Sequence, residues 1–461
     1  AQAISSQAAG ARRLSPAWAV AAGARHHRPV ATAAVAMASA AGVRPILGTM
    51  TFGQSGQVKE GDAGVVLRSF CGSGAAKGPG GALVDTARIY QSAAGVEGDT
   101  EATLGGILAT FPSLARQSSI ATKANPSMPP HYSLSRQSVI EQCETSLDRL
   151  GLDCVDLFYL HSPDIRTSID DTLDGVDYLH KAGKIVEFGL SNYPAWAIVD
   201  IWHRCKARGI VLPTVYQGMY NVITRDFERE VVPVARQFGL RLYMYNPLAG
   251  GLLSGRYSSV EDLANVSKGR FSTEFDAAFG GGVKAGTGLY RGRYSKAAIF
   301  GGLELLREAC APVHAGGEPA RSEAAPAVQK SVSEVQNGIR VTVEVTEVPE
   351  KAAPTREGVA MASVALRWLL HHSLLRPGDG VILGVSKVDH LVANLAAWHA
   401  GPLPAYLLDA CNAAWEAARP ACEVYFRGYG EKPGGIERFL ALQASPGRDG
   451  EEAPDPKRAK A

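Results

Sequence analysis

Short apolar runs recur along the chain, and most of them stop at a polar residue. Eight read as β-strands: RPILGTM (44–50), ALVDTA (82–87), SIATKA (119–124), VDLFYLH (155–161), IVEFGLSN (185–192), TVYQGMYN (214–221), LRLYMYNPL (240–248) and GVILGVS (380–386). Between them lie segments of helical period. In SRQSVIEQCETSLDRLG (135–151), Val139, Ile140, Cys143, Leu147 and Leu150 fall on one stripe. DDTLDGVDYLHKAG (170–183), AWAIVDIWHRCKARG (195–209) and EREVVPVARQFG (228–239) behave similarly. Apolar strands alternating with amphipathic helices predict a parallel sheet covered by helices. Eight such units predict closure into a (β/α)8 TIM barrel, with an open doubly wound sheet as the alternative.

Three stretches break the pattern. Residues 1–59 contain no Asp or Glu, yet carry Arg12, Arg13, Arg25, Arg28, Arg44 and Lys59 among many Ala and Ser. An acid-poor, Arg-containing leader reads as an organellar transit peptide, here assigned to 1–42, ahead of a barrel over 43–430. That reading places the protein in a chloroplast or another organelle, and in the cytoplasm if the leader is not a targeting signal. Residues 311–357 form an insertion rich in Ala, Pro and Glu, in which RVTVEVTEV alternates at strand period and predicts either one edge strand or no regular structure. The tail, 431–461, ends EEAPDPKRAKA and reads as a solvated, disordered end.

Composition narrows the function classes. A chain of 461 residues accommodates one barrel with insertions, and 46% hydrophobic content supplies a large core. A formal net charge of +2 gives no electrostatic case for a nucleic-acid partner. No apolar run approaches the ~20 residues of a membrane span. Seven cysteines, odd in number and without a C-x-x-C pair, fit a reducing compartment better than a disulfide framework or a zinc site.

A barrel gathers its active site at the C-terminal ends of the strands. Asp85, Lys123, His161, Ser191 with Asn192, Gln217 and Tyr245 sit at or near the ends of six successive predicted strands. Each alone could be an ordinary strand exit; their joint placement is the signal. With Tyr90 five residues beyond Asp85, they suggest a proton-transfer site. A lysine ammonium beside a phenol favours the phenolate and lowers a pKa that is ordinarily ~10. Asp85 would hold Lys123 charged, and His161 could orient a substrate carbonyl. Together these make a general acid for a carbonyl oxygen accepting a hydride. No G-x-G-x-x-G follows the first strand, so a dinucleotide would lie across the barrel mouth rather than in a Rossmann unit. Ser191, Asn192 and Gln217 could bond a carboxamide, Tyr245 could stack on a pyridine ring, and the small residues of NPLAGGLLSGRY (246–257) allow close backbone approach. The helix opening in SKVDHLVANL (386–395) suits a phosphate. A metal-dependent hydrolase would need further histidines at strand ends, and His161 is the only one, so no metal ligand is assigned.

IATKANP, ETSLDRLGLDCVDLFYLHSPD, GLSNY, LPTVYQGMYN, YNPLAGGLLSGRY, ALRWLLHHS, VILGVSK and VYFR together resemble the aldo-keto reductase superfamily, and within it the aflatoxin-aldehyde reductase branch. The resemblance runs from about residue 44 to 427, the insertion apart. It implies an (α/β)8 barrel that reduces aldehydes, including carboxylate-bearing or dialdehyde substrates, with NADPH. Carried over by position, Tyr90 is the proton donor, Lys123 lowers its pKa, Asp85 supports Lys123, and His161 contacts the carbonyl. Ser191, Asn192, Gln217 and Tyr245 would meet the nicotinamide. Asn246, Pro247, Leu248, Gly250, Gly251, Ser254 and Arg256 would line the cofactor. Arg270, Gly384, Ser386, Lys387, His390 and Asn394 would serve the adenosine phosphate. Tyr290, Arg293 and Arg427 occupy positions where the branch engages its substrates, and arginine suits a carboxylate. The chain departs from the superfamily at His390, where many members have Arg, and at Ala393, where an acid is expected. Lys387 and Arg270 are the nearby cations, and the margin of NADPH over NADH is left open. The resemblance also implies a homodimer. The competing functional class is a nucleotide-binding regulatory subunit resembling the potassium channel β-subunits, which share the barrel.

Overall fold

Alternation of apolar strands and amphipathic helices does close a cylinder. β1 is Arg44–Gly48, β2 Ala82–Asp85, β3 Ser118–Ala124, β4 Val155–Leu160, β5 Ile185–Ser191, β6 Pro213–Met219 and β7 Arg241–Tyr245. Two strands of the insertion follow, β8 Val328–Gln336 and β9 Ile339–Glu347, and then β10 Gly380–Gly384. The barrel order is β1-β10-β7-β6-β5-β4-β3-β2. Every barrel pair is parallel, and β1 closes the ring by pairing with β10 on one side and β2 on the other. The computed structural model describes residues 42–53, 56–73, 81–90, 98–128, 131–264, 266–272, 275, 289–313, 328–336, 339–347 and 356–428. The predicted leader, Gly42 apart, and the predicted tail lie outside the described residues.

Each barrel strand is followed by a helix: Glu60–Gly72, Asp99–Thr110, Arg136–Leu150, Ile169–Lys181, Ala195–Arg208, Val231–Phe238, Met361–His371 and, after β10, Val388–His399. Arg136–Leu150 shows why the sequence folds this way. The Ser135 side chain accepts from the Ser138 amide, a cap that contributes about 1 kcal/mol. Gly151 ends the helix at φ 64°, a left-handed conformation that glycine adopts without a Cβ clash. The stripe Val139, Cys143, Leu147 and Leu150 is buried against the barrel, with Ile140 half-buried beside it. Burying each larger apolar side chain of this kind stabilises by roughly 1.5–3 kcal/mol.

The strand period of two sorts the barrel interior into layers. Ile46, Leu83, Ala121, Leu157, Tyr159, Val215, Tyr243 and Ile382 form one buried cluster inside the ring. At its N-terminal end, Arg241 pairs with Glu187 and its Nη1 donates to the Tyr243 hydroxyl at 3.1 Å. At the C-terminal end the inward positions become polar, which prepares the site.

Except for β3, the barrel strands stop short of the predicted runs at their C-terminal ends. Asn192 (φ 62°) and Asn246 (φ 60°) turn the chain out of β5 and β7 in left-handed conformations, which asparagine tolerates better than most residues. The insertion corrects a second expectation. RVTVEVTEV is not a lone edge strand; it supplies β9, which pairs antiparallel with β8 in a separate two-stranded sheet. The run before it, VQKSVSEVQ, does not alternate cleanly: Val328 and Val332 share one strand face and Val335 lies on the other. Among the described residues no helix is long and apolar enough to cross a membrane.

Candidate active site

β2, β3 and β6 aim three polar side chains into the barrel above the apolar layer. Lys123 Nζ lies 2.6 Å from Asp85 Oδ1 and donates a second bond to the Thr86 carbonyl at 2.7 Å. Gln217 Nε2 donates to Asp85 Oδ2 at 2.7 Å. Since β2 and β6 are not neighbours in the ring, that bond crosses its interior. Lys123 is fully buried and Asp85 only 3% exposed. A buried ammonium is tolerable only with such pairing. Burial pulls the Lys123 pKa down and the Asp85 carboxylate pushes it back up, for a net lowering.

Tyr90 and His161 border this pair. The Tyr90 amide bonds the Ala87 carbonyl at 3.0 Å, a tight turn that folds the post-β2 loop back. Lys123 Nζ then lies 5.2 Å from the centre of the Tyr90 ring, and the Tyr90 and His161 rings meet edge to face at 6.1 Å. The phenol pKa is raised well above its usual value by burial first and the Asp85 carboxylate second, with Arg270 opposing. This differs from the lowering expected from the sequence. Lys123 faces the ring and spends its hydrogen bonds on Asp85 and Thr86. His161 Nδ1 is buried with no hydrogen-bond partner, and burial together with Lys123 and Arg427 holds its pKa well below the usual value. The imidazole is therefore neutral at physiological pH.

A second group lies at the ends of β5 and β7. Asn192 Nδ2 donates to the His161 carbonyl at 2.9 Å and to Ser191 Oγ at 3.0 Å, while Asn192 Oδ1 accepts from the Tyr245 hydroxyl at 2.7 Å. Asn192 is thus fully engaged, and the Ser191 hydroxyl hydrogen and Gln217 Oε1 are the groups left for a ligand amide. The Arg427 amide bonds the Asn192 carbonyl at 3.0 Å, which brings the end of the VYFR segment to the mouth.

The strap after β7 closes one side. Tyr290 donates to Asn246 Oδ1 at 3.0 Å and accepts from Arg270 Nη1 at 2.8 Å. Gly250 (φ 70°) presses on that strap: a Cβ there would sit 2.6 Å from the Tyr290 ring. Arg270 reaches to β10 as well, with Nη2 3.5 Å from where a Cβ on Gly384 would lie. Arg293 is 7% exposed, its Nε and Nη1 make no hydrogen bond, and its Nε is 3.9 Å from Glu423 Oε2. Pro247 and Asn394 are buried and Leu248 half-buried.

Other predicted residues stand apart from the ion pair. Ser254 is exposed and bonds the Gly251 carbonyl, and Arg256 is exposed over the Tyr257 ring. Lys387 is the exposed residue before helix Val388–His399, and Ser386 Oγ lies 3.2 Å from His390 Nδ1 in its first turn. Sequence reasoning missed the Thr86 carbonyl, which no side-chain pattern announces. It also passed over the buried polar run Asp99, Thr100 and Glu101, because acids opening a helix look like ordinary dipole partners. Among the described residues no group of His, Cys, Asp and Glu could hold a metal ion.

The aldo/keto reductase family model matches residues 46–416. Human aldo-keto reductase family 7 member A3 is 39% identical over 346 residues, covering 75% of this chain and 87% of that protein. Rat aflatoxin B1 aldehyde reductase member 2 is 37% identical over 393 residues, 84% of this chain and 89% of its own. Human aflatoxin B1 aldehyde reductase member 4 is 38% identical over 346 residues, 74% and 87% of the two chains.

Proposed function

The chain belongs to the aldo/keto reductase family of oxidoreductases, and from that premise we propose that it reduces small aldehydes to alcohols with NADPH, Tyr90 giving the proton. The observation that carries this reading is the buried Asp85–Lys123 pair with the Tyr90 and His161 rings beside it. The relatives named for reducing an aldehyde support the substrate class.

The residues suit a dinucleotide. Ser191 and Gln217 offer a donor and an acceptor to a carboxamide, and Tyr245 offers a ring at the same end of the barrel. Gly250 and Gly251, both at positive φ, keep the backbone of 246–256 bare for close approach. The N-terminus of Val388–His399, with Ser386, Lys387 and His390, and Arg270 near Gly384, suit the phosphate end. When bound, the reduced nicotinamide supplies the hydride to the carbonyl carbon.

The chain's own residues handle the oxygen. The neutral His161 imidazole donates a hydrogen bond to the carbonyl oxygen and orients it. Tyr90 Oη then gives its proton to the developing alkoxide. A phenol with a raised pKa is certain to hold its proton at neutral pH, and an alkoxide is a strong enough base to take it. Lys123 and Arg270 stabilise the phenolate left behind, in a site where low dielectric strengthens the effect. Asp85 and the Thr86 carbonyl keep Lys123 aimed.

Arg293 supports a preference for carboxylate-bearing aldehydes. A guanidinium this buried with unbonded donors suits a carboxylate, which it can grip through two parallel bonds. Purified protein supplied with NADPH or NADH in parallel, and with neutral and carboxylate-bearing aldehydes such as succinic semialdehyde and 2-carboxybenzaldehyde, tests the reading by nicotinamide absorbance. NADPH consumption with carboxylate-bearing aldehydes favoured is expected. No turnover across the panel, with tight nucleotide binding, overturns it in favour of a regulatory nucleotide-binding protein.

A further inference from the structure

Helix Asp99–Thr110 opens with three consecutive polar residues that are all buried. Surface helices bury such a run only for a reason, because each buried polar group costs free energy unless it is bonded. Each of the three reaches toward the barrel mouth or its supporting wall. Asp99 Oδ2 lies 2.4 Å from where a Cβ on Gly53 would stand, so its carboxylate packs on the loop after β1. Thr100 Oγ1 donates to the Phe52 carbonyl in that loop at 2.8 Å. Glu101, fully buried, accepts from Thr122 Oγ1 at 2.6 Å, one residue before Lys123.

Thr122 and Lys123 are neighbours on β3, so their side chains leave opposite faces. Lys123 points into the barrel and Thr122 out toward the helix layer. We infer that Glu101 is a positioning residue for the catalytic pair, acting from outside the barrel wall: it holds β3 through Thr122, faces Arg88 in the loop that carries Tyr90, and places a second carboxylate behind the Lys123 ammonium. The inference rests on the proposed reaction only for its effect on turnover.

The charges around both groups fix the direction of the effect. Glu101 is faced by Thr122 from β3, by Ser146 and Arg149 from helix Arg136–Leu150, and by Arg88 from the loop after β2. Burial raises its carboxyl pKa and these four neighbours oppose the rise. Arg149 Nη1 lies 3.8 Å from Oε2. Lys123 is faced by Asp85 from β2, Tyr90 from the following loop, Tyr159 from β4 and His161 just beyond it. Asp85 and Glu101 are the acids that keep it protonated against burial. Where Lys123 gives up its proton, an ionised Glu101 opposes the loss. Its negative charge raises the Lys123 pKa, so neutralising it lowers that pKa.

The experiment uses the full chain with 13C-labelled lysine side chains, without nucleotide, the Lys123 resonance being identified by its loss in Lys123→Met. In E101Q, which keeps an acceptor for Thr122, the Lys123 titration midpoint moves to lower pH, and Glu101→Asp brings it back toward wild type. The basic limb of kcat against pH moves in the same direction, with KM for the aldehyde nearly unchanged. A purely structural role lowers the unfolding temperature and leaves the midpoint in place, and that result overturns the inference. Should E101Q not fold, Glu101→Asp, which withdraws the charge by one methylene, is read alone: a smaller downward shift supports the inference and an unmoved midpoint overturns it. A wild-type protein without aldehyde turnover would refute the proposed function while the lysine titration still decides the role of Glu101.

Discussion

Gln217 donates across the barrel to Asp85, Nε2 to Oδ2 at 2.7 Å, while Lys123 occupies the other carboxylate oxygen. One amide therefore supports the acid that orients the lysine and, in the proposed complex, also meets the nicotinamide. The two tasks use different atoms of the same side chain and can be separated by mutation.

Gln217→Leu leaves a buried carboxylate oxygen without its donor, at a cost of about 1–3 kcal/mol. Steady-state kinetics should show kcat reduced by roughly tenfold to a hundredfold, at 1.4 kcal/mol per tenfold, together with weaker nucleotide binding. A change confined to the nucleotide KM would mean that the bond to Asp85 has no part in turnover.

Asp85→Asn removes the nearest counter-charge of a fully buried ammonium. Breaking a buried pair from one side costs about 3–5 kcal/mol, which should appear as a lower denaturation midpoint. Adding Lys123→Met to that variant should recover much of the stability and none of the turnover. If the double variant is no more stable than the single one, Lys123 is not held by Asp85.

His161 gives the acid side of the stability profile a definite sign. Its folded pKa is depressed well below 6.5, mainly by burial. Between the two values the unfolded chain binds a proton that the folded chain does not, so its contribution is fully present above about pH 6.5 and is lost as pH falls. Thermal unfolding of His161→Gln should therefore decline less steeply than wild type below that pH. Parallel profiles would show that His161 titrates normally in the folded state.

The fold was legible because its signal is repeated. Eight apolar runs alternating with amphipathic helices point to a barrel, and the ion pair could be anticipated because Asp85 and Lys123 lie at the ends of adjacent strands. The Tyr90 pKa was not legible: it depends on which hydrogen bonds Lys123 makes, and the Thr86 carbonyl that takes one of them is backbone. The bond from Gln217 to Asp85 was hidden for a similar reason, since it joins strands that are distant in the chain and not adjacent in the ring. β8 was missed because its three valines do not keep strand period and the rest of the run is Lys, Ser, Glu and Gln, so only the alternating partner strand stood out.

Arg293→Met should act on substrate choice. A charge-assisted bond to a carboxylate is worth about 1.5–3 kcal/mol, so kcat/KM for succinic semialdehyde should fall by roughly tenfold to 150-fold and that for a neutral aldehyde should change little. Equal losses for both would place Arg293 in the architecture of the strap rather than in contact with substrate.

Tyr90 carries the central claim, and one paired measurement tests it most directly: NADPH oxidation with a saturating aldehyde, and nucleotide affinity by fluorescence, in wild type and Tyr90→Phe. The phenyl ring keeps the edge-to-face packing with His161 and removes only the acidic hydroxyl. Nucleotide Kd nearly unchanged, with turnover reduced about 10²–10⁴-fold as expected for loss of a general acid, is the predicted result. Turnover undiminished in Tyr90→Phe would contradict it.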